Sequence, residues 1–371
     1  MICLNIKGSI EKLENILKKI QIVVYILWRF SLILFFSLIV HACHINTTKS
    51  SELYDNETKN EFNDNGSVHI YFMDSPIRMS HEEIGEKRFG ASYANPTDSG
   101  SFLSSYSEYL EFYNEYTYDP YSDPTRGGGH GTMMAGIITN KQYGISPNTD
   151  IKIHSVSRES GDWYKQLNWI NNYGLQPGII SISTGTDLLS NNNIILNDIK
   201  EIMIEMTNKG FIFVISSGGN FKGPNFSYPT GYPNSHCDSE FPRNFYRYDS
   251  ISMIITSPVS VNNQIDPYVN TGSCVDFFVK IDNIYYLDSK RDTGGELNFS
   301  DLASSPTAPY VAGLIANIMV EEKYRKFTPK QIKNLLVDNS LKNLVKDEDG
   351  NMLVNQEGRD NHLIDSNFTV N

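Results

Sequence analysis

A chain of 371 residues, 40% of them hydrophobic, is long enough to bury a sizeable core in one large domain. Its formal net charge of −12 offers no basic face to a polyanion, which excludes nucleic acid as the partner. Cys3, Cys43, Cys237 and Cys274 are too few and too scattered for a disulfide framework, and no Cys-x-x-Cys pair points to zinc.

The first segment is a leader, 1–43. From Ile20 to Ala42 the chain is apolar apart from Gln21, Arg29, a few serines and His41, and Lys7, Lys12, Lys18 and Lys19 precede it. The positive charge before the apolar run places the N-terminus in the cytoplasm and everything after Cys43 across the membrane. Two outcomes fit. The run stays as a membrane anchor, or it is cut before Cys43, which then carries lipid, as in a bacterial lipoprotein signal. Either way the expected location is membrane-anchored and extracytoplasmic, at a bacterial cell surface or facing the periplasm. A polar linker, 44–66, follows; it is too short for a folded pro-segment.

The body is expected over 67–345, with a polar tail at 346–371. Ser67 to Met73 is a short apolar run ending at Asp74-Ser75-Pro76, the pattern of a buried parallel strand that delivers a carboxylate at its C-terminal end. In open α/β sheets that edge is where sites assemble. The Tyr-, Ser-, Glu- and Asp-rich stretch from Ser92 to Asp123 reads as surface loops with a short helix near Tyr109 to Tyr113. Gly127-Gly128-Gly129-His130-Gly131-Thr132 places an imidazole at the mouth of a buried helix. Strands are expected at 150–156, 178–183, 211–215, 251–255 and 274–279, and helices at about 162–171 and 194–209. Alternating strands and helices imply a parallel sheet with right-handed crossovers.

Near the C-terminus, Pro306 and Pro309 sit where a first helical turn tolerates proline, so Ser305 stands at a helix N-terminus. Thr328-Pro329-Lys330-Gln331 has the form of a capping box before an amphipathic helix through Val337.

The order Asp74, His130, Asn220, Ser305 resembles that of the subtilisin-like serine proteases. The stretch HGTMMAGI is similar to the family's His-Gly-Thr-x-x-Ala-Gly motif, and GISPNTDIKIHSV to its strand entry. SIST with Gly185 is similar to the substrate-binding strand, SSGGN to the oxyanion segment, and SSPTAPYVAGLIA to the nucleophile motif Gly-Thr-Ser-x-Ala-x-Pro-x-Val-Ala-Gly. The resemblance implies a three-layer α/β/α fold with a mainly parallel twisted sheet, preceded by the membrane or signal segment.

It also implies a serine endopeptidase acting on a protein or peptide. Asp74, His130 and Ser305 would form its triad, with Asn220 and the Ser305 N–H as oxyanion donors. Ser183, Thr184 and Gly185 would pair with the substrate backbone, and Ser217, Gly218 and Gly219 would wall the specificity pocket. A structural calcium ion is open, although no acidic loop motif marks its place. So is a bridge between Cys237 and Cys274 as against two free thiols.

The chain departs from the family pattern in three places. Pro76 takes a glycine position after the first strand, Ala303-Ser304 replaces Gly-Thr, and Pro306-Thr307 follows the nucleophile in place of Met-Ala. These changes leave Ser304 as a second candidate nucleophile. They also leave a second function, a pseudoprotease that binds peptides or surfaces through the edge at Ser183 to Gly185.

Overall fold

A computed structural model describes residues 66–94, 101–103, 105–115, 129–146, 148, 150–156, 163–184, 193–219, 242–265, 269–281, 283–298, 304–347, 349–353 and 360–370. The chain divides into two units, Met1–Asn65 and Gly66–Asn371. The leader, its Cys43 and most of the linker therefore lie outside the described residues. No helix among the described residues is long and apolar enough to cross a membrane.

Among the described residues, the second unit is built on a ten-stranded sheet. Its strands are β1 (Val68–Met73), β2 (Phe89–Ala94), β3 (Ser101–Leu103), β4 (Ile151–Ser155), β5 (Gly178–Ile182), β6 (Ile212–Ser216), β7 (Met253–Pro258), β8 (Phe277–Val279), β11 (Leu341–Lys342) and β12 (His362–Ile364). They lie in the order β11-β12-β8-β7-β6-β5-β1-β4-β2-β3, parallel except at the two edges, where β3 and β11 run antiparallel to their neighbours. A separate antiparallel hairpin joins β9 (Ile284–Leu287) and β10 (Gly295–Asn298). The mainly parallel α/β architecture expected from the alternating pattern is what forms.

Both faces of the sheet are covered, so its inner strands are apolar on successive residues rather than on alternate ones. Along β1, Val68, Ile70 and Phe72 enter one core, with Ala135 and Ile138 of α3 (His130–Thr139) and Val311 and Ile315 of α6 (Thr307–Val320). Tyr71 and Met73 enter the other, with Leu167 of α4 (Trp163–Tyr173) and Met203 of α5 (Asn193–Lys209). Each Val, Leu, Ile, Phe or Met side chain among these that is fully removed from water contributes roughly 1.5–3 kcal/mol. The remaining α-helices among the described residues are the single turn α1 (Gly85–Arg88), α2 (Tyr106–Glu115) and α7 (Pro329–Asn339). In α7 the expected capping box is formed: Thr328 Oγ1 accepts from Gln331 N while Gln331 Oε1 accepts from Thr328 N.

Several elements differ from the sequence reading. The stretch taken as loops contributes β3 and the end of β2, and its helix is longer than Tyr109 to Tyr113. The stretch taken as a polar tail contributes β12, whose Leu363 and Ile364 are buried and pair with β8. The hairpin β9–β10 falls in a stretch assigned no element. Cys274 is held in a disulfide, which removes the free-thiol alternative for that residue. Cys237 lies outside the described residues.

Candidate active site

The strand order β6-β5-β1 places three carboxyl ends side by side. Asp74 follows β1, Ser183-Thr184 follow β5, and Ser217-Gly218-Gly219 follow β6, so residues far apart in sequence meet at one edge of the sheet.

Asp74 is buried, with 1% of its side chain exposed, against 28% for His130. Its Oδ1 lies 2.7 Å from His130 Nδ1 and accepts a second hydrogen bond from Ser75 N at 2.7 Å. A carboxylate only accepts, so the imidazole proton sits on Nδ1 and the basic lone pair is on Nε2. Asp74 Oδ2 is buried with no hydrogen-bond partner among the described residues.

Local chemistry explains why the imidazole arrives there. Gly129 takes φ 79°, a left-handed turn open to glycine, and α3 starts on the next residue. A Cβ on Gly131 would stand 2.0 Å from Ser75 O, so only glycine lets the helix mouth approach the chain after Asp74. The Gly131 N–H then donates to Ser75 Oγ at 2.8 Å, and Thr132 Oγ1 accepts from Arg78 N at 2.9 Å. Sequence reasoning singled out neither Ser75 nor Thr132, although both stand next to residues it did name. Beyond them Arg78 is buried, donates from Nε to Ser289 O at 2.8 Å and pairs with Asp292 at 3.3 Å. Nearby, His81 Nε2 meets Gly294 O at 2.9 Å, and burial lowers its pKa against the opposing pull of that carbonyl and of Glu82, Glu83 and Asp292. The segment carrying Asp74 is thus pinned to both α3 and the hairpin.

Ser305 is buried just before α6, and its carbonyl accepts from Ser183 Oγ at 2.8 Å. Thr184 Oγ1 lies 3.4 Å from Met73 O. Adjacent residues and these two contacts connect Ser305 through Ser183 and Thr184 to the strand that ends in Asp74. Ser304 is also buried, and its carbonyl accepts from Thr307 N and Thr307 Oγ1.

The segment after β6, expected to wall the specificity pocket, is held by its neighbours. Ser217 N donates to Thr256 O at 2.7 Å, Ser217 Oγ to Ser257 Oγ at 3.0 Å, and Asn270 Nδ2 to Ser217 O at 3.0 Å. Gly218 takes φ 77°, again open to glycine, and Gly219 bridges Val269. Asn220 and Gly185, expected to bind the oxyanion and the substrate, lie outside the described residues, as does Ala303. No group of three or more metal-ligating side chains stands together among the described residues.

With an Asp–His pair at the end of β1, a serine at the start of α6 and a glycine-bearing turn after β6, comparison with known families is decisive. Residues 65–361 match the subtilase family. The chain belongs to the subtilase family. Among relatives of the subtilase, the extracellular serine proteinase of a Thermus species is 22% identical over 75% of this chain and 56% of its own length. A subtilase-type proteinase of the sexual differentiation process in Schizosaccharomyces pombe is 26% identical over 51% of this chain and 36% of its own. The subtilase thus spans about a third to just over half the length of these relatives. A crystal structure of a cold-adapted subtilisin-like serine proteinase superposes with a TM-score of 0.55, at 20% identity, over 81% of this chain and 88% of that one. That likeness supports the subtilisin-like fold.

Proposed function

We propose that this subtilase is a serine endopeptidase whose nucleophile is Ser305. The observation that carries the reading is the buried Asp74 carboxylate 2.7 Å from His130 Nδ1. It fixes the tautomer a general base needs and stabilises the imidazolium that forms when Nε2 takes a proton. Ser305 Oγ attacks the scissile carbonyl carbon while its proton passes to His130 Nε2. The Asn220 side chain and Ser305 N–H receive the developing oxyanion. When the C–N bond breaks, the same proton leaves with the amine and an acyl-serine remains. Water, deprotonated by His130, then releases the acid and restores Ser305.

The substrate class is protein or peptide, its backbone paired along Ser183 to Gly185 and one side chain seated against Ser217 to Gly219. The leader tethers this body on the far side of the cytoplasmic membrane, as an anchor or through lipid on Cys43; the extracellular Thermus relative agrees with that side. Hydrolysis of an unstructured protein such as casein, lost in Ser305→Ala and in His130→Ala but kept in Ser304→Ala, is the expected result. A folded protein that binds peptides with no turnover would instead favour the pseudoprotease reading.

A further inference from the structure

Two hydroxyls stand behind the turn that carries Ser305. Thr307 opens α6, Thr256 lies in β7, and both are fully buried. Thr307 Oγ1 is 2.7 Å from Ser304 O, 2.9 Å from Thr256 Oγ1 and 3.2 Å from Thr256 O. A hydroxyl has one proton to give, and the shortest contact to a carbonyl takes it, so Thr307 donates to Ser304 O. The other acceptor open to Thr256, Ile215 O, is farther away at 3.4 Å, so the Thr256 proton points to Thr307 Oγ1. The hydroxyls form a directed chain from Thr256 through Thr307 to Ser304 O.

That carbonyl also accepts the Thr307 backbone N–H at 3.1 Å. It shares one peptide unit with Ser305 N–H. Two donors on the oxygen pull electron density out of the amide nitrogen, which makes the N–H a stronger donor, and they fix the plane in which it points. The Thr256 carbonyl meanwhile accepts Ser217 N, so one residue ties the wall after β6 to the turn before α6. Thr307 stands where the family motif has alanine, so this hydroxyl belongs to the chain's own departure from the motif.

We propose that Thr256 and Thr307 form a hydroxyl relay that orients and polarises the Ser304–Ser305 peptide, making both of them positioning residues for acyl transfer. The inference rests on the reading of Ser305 as nucleophile and of its N–H as an oxyanion donor.

The test compares the full chain with Thr307→Val, Thr307→Ser and Thr256→Val, by kcat and KM on a peptide ester and by the rate of fluorophosphonate incorporation at Ser305. Thr307→Val keeps the shape and removes the relay; it should lower kcat and the labelling rate about 10-fold, the size of one lost hydrogen bond, with KM unchanged. Thr307→Ser should restore most of the rate, and Thr256→Val should show a smaller loss of about threefold because it only weakens the polarisation. A Thr307→Val protein as fast as the parent, or a loss that Thr307→Ser leaves unrepaired, would overturn the relay. Should Thr307→Val not fold, an undiminished kcat in Thr256→Val would overturn it. A folded parent that takes up no probe at Ser305 overturns the nucleophile reading and the relay together; a parent that labels at the same rate as Thr307→Val overturns the relay alone.

Discussion

Asp74 Oδ1 and His130 Nδ1 lie 2.7 Å apart across 56 residues of chain. The contact is set by a sheet edge on one side and a glycine-lined helix mouth on the other. The carboxylate is buried and the imidazole is partly open, and the carboxylate's hold on Nδ1 leaves Nε2 as the basic nitrogen. Asp74→Asn keeps the shape but offers Nδ1 an amide that can donate, which stabilises the wrong tautomer. On the proposed function, turnover should fall by roughly 10⁴-fold, the loss typical when an Asp-His-Ser triad loses its carboxylate, with the thermal midpoint little changed. Steady-state kinetics and a melting curve on the same preparation check both halves.

Gly131 is the joint of this arrangement. Its missing Cβ is what allows α3 to lie on Ser75, whose backbone oxygen would otherwise be 2.0 Å away. Gly131→Ala must push the helix mouth off the Asp74 segment, at a cost of about 1–3 kcal/mol, typical of an overpacked contact. The expected outcome is a lower denaturation midpoint together with lost activity. Activity retained at full stability would show that the helix mouth has room the structure denies it.

A third prediction concerns acid. His154 on β4 is fully buried, 2.9 Å through Nε2 from His69 Nδ1 and stacked 4.2 Å from Tyr71. Desolvation first, then the neighbouring His69 and Lys152, holds its pKa well below the ordinary value of 6.5. A shared N–H···N contact also requires one ring to accept, so both cannot be protonated. The fold therefore contains His154 neutral while the unfolded chain protonates it. The stability tied to that neutral ring is fully present above about pH 6.5 and is lost as pH falls below it toward the depressed folded value. Urea midpoints measured from pH 7.5 down to 5 should decline, and His154→Gln, which cannot titrate, should flatten the decline even if it lowers the midpoint at neutral pH.

The clasp between the Asp74 segment and the hairpin predicts an asymmetric pair of mutants. Asp292 is half exposed, so Asp292→Asn should cost less than about 1 kcal/mol, as water screens exposed pairs. Arg78 is buried and also satisfies Ser289 O; Arg78→Ala strands that carbonyl and empties the space under the segment, for a loss of roughly 2–4 kcal/mol. Equal effects from the two would mean the ion pair, rather than the buried guanidinium, carries the contact.

How much of this was legible in the sequence depends on the length over which a pattern repeats. β1, β5 and β6 are mostly apolar over five or six residues and run into small or acidic residues, so both the strands and the edge they build are visible. The α3 and α6 mouths announce themselves through glycine and proline. β12 shows only three residues, His362 to Ile364, too few for a period to appear in a polar stretch, and its place depends on the remote β8. The hairpin β9–β10 is similar: Tyr285 and Tyr286 are only partly buried, and its turn is charged. Yet that hairpin explains a glycine the motif contains, since a Cβ on Gly136 would stand 2.7 Å from Leu287 and 2.8 Å from Tyr285 O. The Thr256–Thr307 contact was invisible for another reason. A threonine in a strand reads as a β-branched filler until its partner, 51 residues away, is known.

The central claim, that Ser305 is the nucleophile activated by His130, is tested most directly by labelling the intact protein with a fluorophosphonate and locating the adduct by mass spectrometry. The account predicts one adduct, on the Ser305 hydroxyl, absent in Ser305→Ala, strongly slowed in His130→Ala and unaffected in Ser304→Ala. A folded protein that takes up no probe, or one that carries the adduct on Ser304, would contradict it.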